Sequence, residues 1–183
     1  KKLNKNFYLN FSLLLFIFLI DRISKLYVIH QDKLNSNFEI YSSKFLNIHL
    51  IWNEGIAFGL FSFNEDYLYN FLTFLILIVI IFIIFMIRKS DLLRKYALLL
   101  VLGGALGNFF DRLIYKAVPD FIDFHVGNFH WFIFNVADIF ITFGIFFMII
   151  IELTSKNKNK FDKIIILRFL INFYSYLLIQ LLS

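Results

Sequence analysis

Gly103-Gly104-Ala105-Leu106-Gly107-Asn108-Phe109-Phe110-Asp111-Arg112 closes an apolar run that begins near Tyr96, and its reading decides the architecture. Its small residues let helices approach closely in lipid, where packing rather than hydrophobic burial drives association. Asn108, Asp111 and Arg112 then sit within about one helical turn at the end of the run. A guanidinium at that depth needs a partner, and Asp111 or an incoming carbonyl or phosphate would serve. An Asp111–Arg112 clamp is the default expectation. The stretch reads as the packing face of a membrane bundle with polar groups gathered at one end.

Composition agrees. With 183 residues, 60% apolar content, 27 Phe and one Pro, the chain is too hydrophobic for a soluble surface and too short for more than one bundle. It has no Cys, which removes disulfides, thiolate nucleophiles and cysteine-held zinc together. The net charge of +5 comes from short basic clusters between apolar runs, so anchoring explains it better than nucleic-acid binding. The Phe stripes read as lipid-facing or packing surface.

A hydrocarbon core about 30 Å thick needs about 20 apolar helical residues to cross it. Four stretches qualify, approximately 7–29, 67–87, 96–115 and 131–153. Asp21, Arg22 and Lys25 follow the apolar part of the first, and no small-residue cleavage site appears, so it reads as a retained span rather than a signal peptide. Lys1, Lys2 and Lys5, then Arg88, Lys89, Arg94 and Lys95, then Lys156, Lys158 and Lys160 all fall on one side of the four spans. With positive residues inside, both ends of the four-span unit are cytoplasmic and the polar motifs face outward. The connection over 30–66 alternates at Leu46, Ile48, Leu50 and Trp52, which predicts one or two short strands. Such strands offer a free edge to an extended peptide, or simply shield the bundle. Beyond a basic linker, the apolar tail over 164–182 is interrupted by Arg168, Asn172 and Gln180. It reads as an amphipathic helix in the inner interface in preference to a fifth span. The expected domains are therefore 1–155 and 156–183.

The polar residues carry the chemistry. Asp21 and Lys25 stand four apart on one helix face in the acid-before-base order, predicting an ion pair that braces the mouth of a site. Asn53-Glu54-Gly55-Ile56-Ala57-Phe58-Gly59 permits close backbone approach beside an amide with both donor and acceptor groups. Asp120 and Asp123 are three apart, and either could be an active acid on spacing alone. Asn135 and Asp138 repeat that spacing on the fourth span, next to Ala137. An acid at bilayer depth costs roughly 2.5 to 3.5 kcal/mol, so it ordinarily has a partner and a job. Two carboxylates about 3 Å apart cannot both ionise easily; sharing one proton, they can activate water and protonate a leaving amine in turn. His30, His49, His125 and His130 are scattered without ligand spacing, and neither a metal nor a cofactor is expected.

The combination resembles the signal peptidase II family of bacterial lipoprotein-processing aspartic proteases. The resemblance rests on Asp21 with Lys25, the segment from Asn53 to Gly59, Gly104 through Arg112, Asp120-Phe121, and Asn135-Val136-Ala137-Asp138, in family order over about 7–153. It implies an all-α integral membrane bundle of four transmembrane helices with a small extracytoplasmic β-cradle and a periplasmic helix, to which the apolar run of this chain adds a C-terminal membrane or interfacial helix that the family pattern does not predict. It implies Asp120 and Asp138 as the catalytic dyad, choosing Asp120 over Asp123. Asn53, Gly55, Asn108, Asp111, Arg112, Asn135, Ala137, Asp21 and Lys25 become substrate-binding or supporting residues. The implied substrate is a prolipoprotein cut on the amino side of a diacylglyceryl-modified cysteine, at the outer leaflet of the bacterial inner membrane. Membrane lipid is the other partner, nucleic acid is not one, and the chain is expected to act as a monomer.

Two departures stand out. Pro119 occupies a position where the family commonly has Val, fixing φ and removing a backbone donor; a loop would tolerate it. The apolar tail replaces the short charged end usual in the family. The main rival reading is a small proton-coupled transporter, since intramembrane acids also mark ion paths. Neither the internal repeats nor the broken helices of a transporter appear in the sequence.

Overall fold

The computed structural model describes residues 5–34, 39–54, 65–127 and 129–155. The chain runs α1 (Lys5–Leu34), β1 (Tyr41–Ser42), β2 (Leu46–Asn53), α2 (Glu65–Lys89), α3 (Leu92–Tyr115), β3 (Val118–Val126), β4 (Phe129–Phe134) and α4 (Val136–Thr154). Gly55 and the region beyond Ser155, with its expected tail helix, lie outside the described residues. Among the described residues, three helical segments are long and apolar enough to cross a membrane: Tyr69–Lys89, Leu92–Tyr115 and Val136–Thr154. The expected fourth span, α1, has 30 residues, about 45 Å at the usual rise, with Asp21, Arg22 and Lys25 beyond its apolar first half.

Local signals set the ends of α3. The Asp91 carboxylate accepts from the Arg94 amide at 3.1 Å and caps the N-terminus. Lys116, at φ 55°, ends the helix in the left-handed region. α3 lies between the other three helices. Its Leu98, Val101 and Leu102 pack with Ile80 and Ile83 of α2 and with Ile141, Ile145 and Met148 of α4. A Cβ at Gly104 would fall on the Ala137 carbonyl oxygen, so the α3–α4 crossing demands glycine there. Outward faces of α1, α2 and α4 present Phe11, Phe16, Phe71, Phe74, Phe143 and Phe146, apolar surface suited to lipid.

The β-structure exceeds what the apolar alternation suggested. Four antiparallel strands form one sheet in the order β1-β2-β3-β4, so the described fold is helices plus a sheet. β4 accounts for an error at the fourth span, whose start near residue 131 falls in a strand. The aromatic and β-branched run Phe132-Ile133-Phe134 pairs with Phe124, Asp123 and Ile122. The helix begins only at Val136, where the Asn135–Asp138 capping box satisfies its first amides. Pro119 also lies in a strand rather than a loop, opposite Trp52. β4 pairs with β3 only from Ile122 onward, so β3 is edge-like at Pro119 and a missing N–H is accommodated.

Candidate active site

The site begins with charges that α1 brings to α3. Asp21, Lys25 and Asp111 are fully buried and Arg22 nearly so. The Lys25 ammonium donates to Asp21 at 3.0 Å, to Asp111 at 2.7 Å and to the Asn108 side-chain oxygen at 2.8 Å. Arg22 joins Asp111 at 2.5 Å and Asp21 at 3.0 Å, and its guanidinium lies over the Phe110 ring at 5.2 Å. Two acids and two bases thus neutralise one another away from water, the condition for burying charge. The expected Asp21–Lys25 pair forms. Asp111, however, pairs with Arg22 and Lys25, not in the clamp expected with Arg112, because adjacent helical residues point in different directions. Arg112 donates to the Asn108 carbonyl at 3.4 Å, and its own carbonyl accepts from Tyr69 at 3.0 Å.

This cluster positions α4. The Ala137 amide, one of the helix's unpaired first donors, gives its hydrogen to Asp21 at 3.0 Å. A Cβ at Gly107 would meet an Asp21 oxygen at 2.5 Å, so glycine is what lets the carboxylate sit against α3.

Above the cluster, Asp120 and Asp138 are 3% and 5% exposed. Asn135 links them: its side-chain amide donates to Asp120 at 2.6 Å, and its backbone amide donates to Asp138 at 3.0 Å. Asn53 donates to the other Asp120 oxygen at 2.9 Å, and Asn108 to Asp138 at 2.7 Å. Asn108 therefore connects the Lys25 ammonium to one acid, while Asn135 connects that acid to the other. Burial pushes the Asp120 carboxyl up from its usual value of 3.8 to about 7, and the nearby Asp138 carboxylate adds to the rise. The Asn53 and Asn135 amides and the Lys25 charge pull in the opposite direction.

A bulge sets the reach of Asn53. Ile48 pairs with Ile122 but Ile51 pairs with Asp120, so β2 carries an extra residue between them. Downstream of it, Asn53 lies opposite Val118 and diagonally from Asp120 on the same face. In the unbulged register Asn53 would point to the other face. Asp123, odd-numbered from Asp120, faces away and meets His130 instead, with His130 Nδ1 2.8 Å from the carboxylate. The histidines are not all scattered, then: the β3–β4 hairpin gathers His125 and His130 beside Asp123. Sequence spacing hid this because the three meet only through strand pairing.

Known proteins with this pattern point one way. A family model described as signal peptidase (SPase) II matches residues 13–154. A lipoprotein signal peptidase of Pelagibacter ubique (strain HTCC1062) is 52% identical over 159 residues, covering 87% of this chain and 96% of that protein. One from Anaplasma phagocytophilum (strain HZ) is 36% identical over 139 residues, covering 76% and 88% respectively. A bacterial membrane enzyme solved by the in meso method at 2.3 Å superposes with a TM-score of 0.66 and 31% identity, over 82% of this chain and 92% of that one.

Proposed function

The chain belongs to the signal peptidase II family, proteases that remove signal peptides from prolipoproteins, and from that premise we propose that Asp120 and Asp138 are its catalytic dyad. The observation that supports this reading is the shared contact with Asn135, which hydrogen-bonds to both carboxylates. With Asp120 raised to about 7, a pair carrying one proton between them is accessible near neutral pH. The ionised member takes a proton from a water as that water attacks the scissile carbonyl. The protonated member donates a hydrogen bond to the carbonyl oxygen and stabilises the developing negative charge. The proton gained from water then passes to the departing amine, and the pair returns to its starting state. Asn53, Asn108 and Asn135 fix both carboxylates, while the Asp21–Lys25–Asp111 cluster holds the two helices that carry Asn108 and Asp138. Arg112 and Gly55 belong to the substrate side of this reading.

The substrate is a diacylglyceryl-modified prolipoprotein, cut on the amino side of the modified cysteine. Its acyl chains stay among lipid while the peptide lies against the sheet. α1 completes a set of four spans, and the basic clusters put its N-terminus on the cytoplasmic side of the bacterial inner membrane. The dyad then lies at the outer leaflet of a protein acting as a monomer. Incubating the purified chain with a lipid-modified precursor and with its unmodified counterpart tests the reading. Selective cleavage of the modified form is expected; equal cleavage of both, or of neither, would overturn it.

A further inference from the structure

The β3–β4 hairpin carries a second cluster of chemically active side chains, on the face of β3 opposite Asp120. Asp123 and His125 are two apart and share that face. The register shifts by one residue between the pairs Phe124–Phe132 and His125–His130, which places His130 directly across from His125. The two rings stack at 5.2 Å with 28° between their planes. One donor atom each from Asp123, His125 and His130 lies within 4.8 Å of the other two.

An ordinary surface ion pair does not account for this arrangement. Asp123 is fully buried, yet its Oδ1 has no hydrogen-bond partner among the described residues, and the same is true of the buried Nδ1 of His125. An unpartnered carboxylate oxygen in such a setting is costly unless a ligand uses it. A divalent metal supplies the missing partner for both groups at once. Two imidazoles and one carboxylate suit a borderline-soft ion of the zinc kind, with three protein ligands and an open fourth position. The His130 side chain is 51% exposed, which gives the ion a path in and gives the ring freedom to close on it.

We propose that Asp123, His125 and His130 form a binding site for a divalent transition metal of the zinc class, separate from the aspartate dyad. The ion clamps β3 to β4, and so ties the strand bearing Asp120 to the strand that leads into Asn135. Its ligands include no dyad residue, so the site stands whether or not Asp120 and Asp138 are catalytic.

The test uses the purified full-length chain in detergent, free of any affinity tag and stripped of metal, titrated with Co²⁺ alone and then with Zn²⁺ as competitor. The expected result is saturable binding of one Co²⁺ per chain with the intense visible absorption of a low-coordinate site, displaced by Zn²⁺. Thermal unfolding should move upward with added Zn²⁺. His130→Gln, at a half-exposed position, and His125→Gln should each weaken binding at least about tenfold while leaving metal-free unfolding near that of the parent. Absence of saturable binding by the parent chain would overturn the proposal, as would equal affinity in the parent and in the double His→Gln variant.

Discussion

Asn135 does three jobs with one side chain and one amide: it caps α4, holds Asp120 and anchors Asp138. Asn135→Ala should therefore destabilise by about 0.5–2 kcal/mol through the lost cap and depress turnover further than that loss explains, read from unfolding and cleavage assays on one preparation. Asn53 donates to Asp120. Its amide favours the ionised carboxylate, so Asn53→Ala should raise the Asp120 pKa further and move the acid limb of the pH–rate profile upward; an unmoved limb would contradict the contact. The linkage has a definite sign. Asp120 is raised from 3.8 to about 7, so the folded chain holds a proton that the unfolded chain releases. That contribution to stability is complete below about pH 4 and lost as pH rises through about 7. Asp120→Asn, which mimics the protonated acid, should flatten the fall in unfolding temperature between about pH 5 and pH 8 that the parent shows.

At the scale of elements, the helices are largely legible in the sequence because an apolar run of bilayer length fits little besides a membrane span. The sheet is less so. Alternation around Leu46–Trp52 points to β2, but β3 is buried on both faces over its first four residues and β4 is short and aromatic, so period-two contrast is weak there. Hence the fourth apolar run reads as starting near residue 131, ahead of the capping box. The dyad's two motifs are visible as carboxylates beside asparagines, while the pairing of Arg22 with Asp111 and the meeting of Asp123, His125 and His130 depend on crossings and bulges that no local spacing encodes. The small-residue run on α3 is legible as a close-packing surface, and the structure uses it as one. Gly104→Ala would press a methyl group into the Ala137 carbonyl, where only backbone movement can relieve it. It should lower the unfolding temperature and misplace Asn135 and Asp138 together, so activity should fall even below the temperature at which the variant unfolds.

For the molecule as a whole, charge neutrality inside and apolar surface outside are parts of one arrangement. Asp21, Arg22, Lys25 and Asp111 cancel within the bundle, and removing one leaves the rest uncompensated. Lys25→Met should cost about 3–5 kcal/mol, measured by denaturation in detergent; a loss under about 1 kcal/mol would mean that the ammonium is not holding the two acids. The family match ends at Thr154, so a chain truncated after Lys160 should retain most of its cleavage activity. The claim on which all of this depends is that two buried acids share the chemistry of peptide hydrolysis. Its most direct measurement is the turnover of a lipid-modified precursor by purified Asp120→Asn and Asp138→Asn chains beside the parent, with thermal unfolding recorded for each. Both variants should remain folded and lose activity by a factor on the order of 10³ or more; near-parental turnover by either folded variant would contradict a dyad.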